Sequence, residues 1–255
     1  MLAVVPDPET LLRTLLGILL LTLVTSAVLT VAGAPRRFAA AAAILRGTIQ
    51  LALLSVVLSG VIADPRWVAL ALLVMLSVAA STSARRLGGL RRRLGLVALG
   101  MLAGIGVALG IVFATGAIEP TPRYLLAIGG IVIGGSMTSA TLAGRRVLQA
   151  AEDRWAEIEG WLALGATPRV ATLPVARHGL HEAVVPTMDQ TRTTGLVTLP
   201  GAFVGAIFGG LSPLEAGRFQ IVVLAALIAA ATVTAAVVAF GLSPQARPGD
   251  TAALR

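Results

Sequence analysis

The chain has 255 residues, 56% of them hydrophobic and 13% charged, with a mean hydropathy of +0.90. That excess of apolar side chains excludes an ordinary water-soluble globule and makes a bilayer the solvent. The formal net charge of +8 rests on 20 basic residues, all of them arginine. The missing lysine excludes a Walker A phosphate loop, and the missing cysteine excludes disulfides and thiolate metal sites.

In chain order, the apolar runs predict an all-α, polytopic membrane protein of about seven transmembrane helices. They cover 11–33, 38–63, 67–84, 94–118, 124–143, 194–211 and 214–241. Short connections separate several of them, "DPR" at 64–66, "EPTPR" at 119–123 and "SP" at 212–213, where proline ends a helix and turns the chain. Arg13, Arg66, Arg123 and Arg218 flank one side of these spans, and the other sixteen arginines flank the opposite side. By the positive-inside rule the N-terminus is then outside and the C-terminus cytoplasmic.

The one long connection, 144–193, is expected to be a cytoplasmic loop. Its first part, "RRVLQAAEDRWAEIEGWLAL", lacks proline and is rich in helix formers, so the fifth span is expected to continue into it. "GATP" at 165–168 reads as a stop, and the following residues as one or two short helices bounded by Pro168, Pro174 and Pro186. A surface-lying amphipathic helix is the alternative. His178, His181 and Glu182 fall at i, i+3 and i+4, a spacing that either holds a zinc or iron ion or simply faces solvent.

Ahead of the sixth expected span, "PTMDQTRTTG" offers the oxygens of Asp189, Gln190, Thr191 and Thr194 beside the Met188 thioether. Hard oxygen donors pass a hydrated divalent cation without trapping it. The alternative is structural, with Asp189 capping the sixth helix and pairing with Arg192. Gln50, Ser136, Met137 and Thr138 are the candidate lining of a path, because neutral polar groups in lipid must face protein or water. Glu215, after "SP", is placed either to release a cation at the outer end or to cap the seventh helix.

Glycines recur inside the spans, and Gly201, Gly205 and Gly209 form the longest ridge at i, i+4, i+8. That ridge is the expected tight helix contact, with Gly100 and Gly104 among the shorter pairs. No predicted span carries an acid or base near its middle, which argues against a carrier driven by protons or sodium. Both histidines lie outside the spans, which argues against an intramembrane serine protease at Ser136. The chain shows no nucleic-acid-binding signature and no catalytic constellation.

Four stretches, "LRGTIQL" (45–51), "GGIVIGGSMTSATLAGRRV" (129–147), "EIEGWLALGATP" (157–168) and "PTMDQTRTTGLVTLPGAFVGAIFGGLSPLEAGRFQIVV" (186–223), resemble the FetB family. These are bacterial iron-export permeases of the ABC type, with plant relatives linked to aluminium tolerance. The resemblance implies a single permease domain over 1–255 in the bacterial plasma membrane, working as a homodimer with a separate cytoplasmic ATPase. ATP and magnesium would belong to that partner, no cofactor to this chain, and the transported solute would be a metal ion.

Glu159 and Gly165, six apart, look like the loose EAA-and-glycine pattern by which ABC permeases dock their ATPases. A docking helix inside 144–193 needs a rigid start, an apolar knob and a sharp exit, which Trp161, Leu162, Gly165, Thr167 and Pro168 supply. The same residues otherwise pack against neighbouring helix ends. Two further readings stay open, an ABC permease for an organic solute and a non-transporting membrane subunit that passes a conformational signal to an ATPase.

Overall fold

The computed structural model describes residues 7–33, 38–61 and 64–254. Arg36, Arg37, Arg255 and the expected end of the second span at Ala63 lie outside the described residues. Every named element is helical, and the one β-type pairing among the described residues joins Thr194 to Thr198. By contacts the chain divides into two compact units, Met1–Val61 and Ile62–Arg255.

The first unit is a pair of packed helices, α1 (Pro8–Val31) and α2 (Ala39–Val61). In α1 the hydroxyls of Thr14, Thr22, Thr25 and Thr30 each donate to the carbonyl four residues back, at 2.7 to 2.9 Å. Such bonds satisfy polar groups inside the helix itself, which hydrocarbon demands.

The second unit contains α3 (Pro65–Arg86), α4 (Leu90–Ala114), α5 (Pro122–Asp153), α6 (Trp155–Ala163), α7 (Pro168–Ala171), α8 (Leu173–Thr193), α9 (Gly201–Phe208) and α10 (Pro213–Leu242). The prolines of the short connections sit in the first turn of α3, α5 and α10, where a missing N–H costs nothing. The preceding residue caps each one. Asp64 accepts from the Arg66 N–H at 2.8 Å, Thr121 from the Tyr124 N–H at 3.4 Å, and Ser212 forms a reciprocal box with Glu215.

α10 is the central post, packed against α4, α5 and α8, while α3 lies on α4 and α5. The closest approach is between α4 and α10. The Thr234 hydroxyl donates to the Gly100 carbonyl at 3.1 Å, and a methyl group added at Gly104 would sit 2.5 Å from the Ala230 carbonyl oxygen. Two 3₁₀ turns, Ser243–Gln245 and Asp250–Leu254, follow α10. They bring Asp250 to 3.5 Å from Arg93, whose guanidinium also donates to the Leu87 carbonyl.

Among the described residues five helices are long and apolar enough to cross a membrane: α1, α3, α4, α5 and the run Pro213–Gln245. The apolar part of α2, Ala39–Ser55, is shorter. The helix expected over 194–211 is replaced by a non-helical stretch and the eight-residue α9, whose rise of roughly 12 Å cannot cross a core of about 30 Å. Gly195, at φ +86°, and Pro200, which precedes the first turn of α9, break the helix there.

The segment 144–193 is helical almost throughout. α5 continues to Asp153, and α6 follows after a break at Arg154. α8 runs unbroken through Pro186, which does not bound it as expected. Its face of Val175, Ala176, Gly179, Ala183 and Val184 is buried, and that packing against α5 and α10 outweighs the one backbone hydrogen bond proline removes.

Within the chain the glycine ridge meets no second helix among the described residues. A Cβ at Gly201 or Gly205 would meet nothing within 4 Å, and one at Gly209 only its own helix. The tight contact of α4 with α10 within the chain is at Gly100 and Gly104.

Candidate functional site

Two features of the second unit stand apart from ordinary bundle packing. The first is the α6–α7 hairpin at the end of α5. Ile158 and Ala171 are buried in a cluster with Val147, Leu148, Val175 and Leu242, and Trp155 packs against it. The hairpin is therefore rooted in the ends of α5, α8 and α10.

Its tip has the opposite character. Trp161 is 49% exposed and Leu164 82%, with Leu162, Thr167, Pro168 and Val170 also exposed. Gly165 makes the reversal possible at φ +88°, with its N–H donating to the Leu162 carbonyl and the Ala166 N–H to the Trp161 carbonyl, both at 3.0 Å. Glu159 is exposed on α6, one turn from the tip. The structure thus brings Glu159, Trp161, Leu162, Gly165, Thr167 and Pro168 onto one projecting element.

The second feature is α8. It starts beside the last turn of α10, where Thr172 donates to Ser243 at 3.2 Å, and α9 ends its path near the first turns of α10, with Phe203 beside Gly217. Between those points α8 runs antiparallel to α10 along the bundle, and Gly179 lets it approach Ala143 and Val147 of α5 closely.

Its outward face carries His178, His181, Glu182, Asp189 and Arg192. Asp189 and Arg192 are 59% and 75% exposed and 3.4 Å apart, so Asp189 is an interior residue of α8 rather than the cap of a following helix. Thr191 and Thr194 spend their hydroxyls on carbonyls four residues back, at 2.8 Å each, and Gln190 is exposed.

His178, His181 and Glu182 are not arranged as a metal site: among the described residues no group of three such side chains converges. Glu182 instead faces Arg146 at 3.9 Å. His178 lines a cavity of about 550 Å³ with Arg146, Gln149, Glu152, Asp153 and Thr251, next to the hairpin's root. At the opposite end of the bundle, Glu119, Tyr124, Glu215, Arg218 and Phe219 line a second cavity of about 410 Å³. Glu215 is held there by its reciprocal bonds to Ser212.

Three of the expected path residues are consecutive in α5 and have different surroundings. Ser136 is fully buried in α5, its Oγ without a hydrogen-bond partner; Met137 packs against the core, and exposed Thr138 donates to the Gly134 carbonyl at 3.1 Å. Gln50 belongs to α2 of the first unit and is exposed. One buried polar group escaped the sequence reading: Gln220 of α10, whose Oε1 is also unpartnered. The one amide side chain in the 30-residue α10 was the available signal.

The sequence model of UPF0014, described as an uncharacterised protein family, matches residues 12–246. The UPF0014 membrane protein STAR2 of Oryza sativa subsp. japonica is 36% identical over 194 residues, 75% of this chain and 68% of that protein. Protein ALUMINUM SENSITIVE 3 of Arabidopsis thaliana is 36% identical over 191 residues, 74% and 70% of the two chains. The probable iron export permease protein FetB of Escherichia coli K12 is 32% identical over 136 residues, 53% and 52%. No solved structure matches significantly. Several long apolar helices and relatives that are membrane proteins make this a multi-pass membrane protein.

Proposed function

This chain belongs to the UPF0014 family of membrane proteins, and on that premise we propose that it is the permease subunit of an ATP-driven exporter of a metal ion. ATP hydrolysis takes place on a separate cytoplasmic ATPase, and two copies of this chain form the membrane part. The family supports a permease through its named relative FetB, and iron is the cargo that name suggests.

The observation that carries the ATPase partner is the α6–α7 hairpin. An apolar knob of Trp161, Leu162 and Leu164 is held out from the protein while Ile158 and Ala171 root it in three bundle helices. Such a lever transmits a partner's movement to α5, α8 and α10 without deforming itself. The hairpin lies at the cytoplasmic end in this reading, with the N-terminus outside. The sixth passage across the membrane is then made by α8 and α9 together rather than by 194–211 alone, which keeps seven crossings.

Cargo enters beside the hairpin, where Glu152 and Asp153 line the first cavity, and leaves by the second, where Glu119 and Glu215 stand. Along α8, Asp189 is the carboxylate between those ends that a cation can meet in passing. Asp189→Asn is expected to lower metal-dependent efflux at least severalfold with ATPase binding intact. Unchanged efflux would reduce Asp189 to its ion pair with Arg192.

Gentle purification of the tagged chain from its host, with and without crosslinking, tests the central claim. A soluble ATPase in equal amount is the expected result; a chain that emerges alone under both conditions overturns it.

A further inference from the structure

Hydroxyls in the middle of α5 and α10 mostly find a partner close at hand. On α5, Thr138 and Thr141 donate to the Gly134 and Met137 carbonyls four residues back, and the Thr141 hydroxyl lies 3.0 Å from that of Ser83 on α3. On α10, Thr232 donates to the Ile228 carbonyl and Thr234 to the Gly100 carbonyl of α4. Two buried side-chain atoms among the described residues have no partner, the Ser136 Oγ and the Gln220 Oε1. Ser136 is 0% exposed and Gln220 6%.

Both belong to the packing of α5 on α10, where Tyr124 lies beside Phe219 and Leu227 fills the space at Gly135. Gln220 follows Phe219 and Ser136 follows Gly135, so the two groups are about two turns, or roughly 10 Å, apart along that contact. One turn away on the same faces, Val132, Ala140, Ala216 and Val223 are buried and apolar. An acceptor buried in such surroundings without a donor destabilises the fold. Phe219 also lines the second cavity with Tyr124 and Glu215.

We propose that Gln220 and Ser136 are inner contacts of the transported cation, neutral oxygen ligands that it meets between the two cavities when α5 and α10 part. Amide and hydroxyl oxygens are hard donors that replace part of a cation's water shell. They do so without the cost of a carboxylate inside a membrane helix, and without holding the ion too firmly to release it. An anion fits less well, because the free atom of Gln220 only accepts. Carboxylates stand at the two ends, Glu152 and Asp153 at one and Glu119 and Glu215 at the other. The α5–α10 contact beside Ser136 is closed by the flexible end of Leu227, whereas the α4–α10 contact at Gly104 is made by the Ala230 backbone, so the former opens more easily.

The inference rests on the metal-exporter reading above and deepens it by naming where the ion is held. Gln220→Met and Ser136→Ala remove the free oxygens with little change of volume. In the full chain purified in detergent without metal, Gln220→Met is expected to raise the thermal midpoint by roughly 2–6 °C, and Ser136→Ala by less, because an unpaired buried group is gone. In cells both should lower metal-dependent efflux at unchanged chain levels, Gln220→Met by roughly tenfold, as for one bond from a neutral group to a charged one. Iron(II), kept reduced under nitrogen, should raise the midpoint of the unmodified chain and raise that of Gln220→Met clearly less. A residue that serves packing alone moves stability and efflux together; a ligand moves them apart.

A lower midpoint in both variants shows the two groups paired in the folded chain and overturns the proposal. A higher midpoint with efflux and the iron shift unchanged overturns it too, while the exporter reading stands. An unmodified chain whose midpoint iron does not move, and whose loss leaves cellular iron unchanged, refutes the exporter reading and this inference together.

Discussion

Gly165→Asp is expected to reduce the ATPase recovered with this protein by more than tenfold, without lowering the amount of folded chain in the membrane. Two costs fall on the same residue. The backbone at Gly165 has φ +88°, a conformation in which a Cβ crowds the neighbouring carbonyl at about 1–2 kcal/mol. Relaxing it displaces the N–H groups of Gly165 and Ala166 that close the end of α6, and so turns the tip bearing Leu164.

The new carboxylate also sits on the apolar knob that would be buried in a partner, where an unpaired charge is expensive. Nothing lies within 4 Å of the position a Cβ would take, so there is no clash to spread into the bundle, and Ile158 and Ala171 keep their anchorage. Gly165→Asn separates the two costs, since asparagine tolerates this backbone region and brings no charge. It is expected to retain a substantial part of the binding. Quantitative co-purification and a membrane-protein yield measure both; normal binding by the aspartate variant would refute the docking role of the hairpin.

What the sequence disclosed and what it hid divide along a physical line. The helix starts at Pro65, Pro122 and Pro213 were readable because a proline preceded by Asp64, Thr121 or Ser212 is a local signal that no tertiary contact needs to supply. The projecting tip was readable for the same reason, since Gly165 and Pro168 act on their own backbones.

α8 was not readable. Hydropathy recognises helices that are apolar all round, and α8 is apolar on one face and charged on the other, so Asp189 and Arg192 read as a loop although they lie on a helix packed against α5 and α10. Periodicity held the missing signal: Val175, Ala176, Gly179, Ala183 and Val184 recur at helical spacing, but Pro174 and Pro186 masked it. The spacing of Gly201, Gly205 and Gly209 identifies a smooth face and says nothing about which helix comes to it; within the chain none does.

Gly104→Ala is expected to be the most destabilising single methyl group in the second unit. The added Cβ would lie 2.5 Å from the Ala230 carbonyl oxygen and also against the Thr234 hydroxyl. The carbonyl belongs to the backbone of α10 and cannot swing aside, unlike the flexible Leu227 tip that faces Gly135. Relief requires moving α4 and α10 apart, which lengthens the 3.1 Å bond from Thr234 to the Gly100 carbonyl and loosens Met101, Ile105, Val223 and Val238 in the shared core.

Overpacking of this kind costs about 1–3 kcal/mol, and the weakened buried hydrogen bond adds about 1 kcal/mol. The thermal midpoint in detergent should fall by roughly 5–10 °C for a chain of this size. Gly205→Ala is the matched control: its new methyl meets nothing within 4 Å, and alanine favours the helix by up to about 1 kcal/mol, so its midpoint should stay level or rise. If the two variants melt together, α4 and α10 do not make the close contact on which the bundle is built.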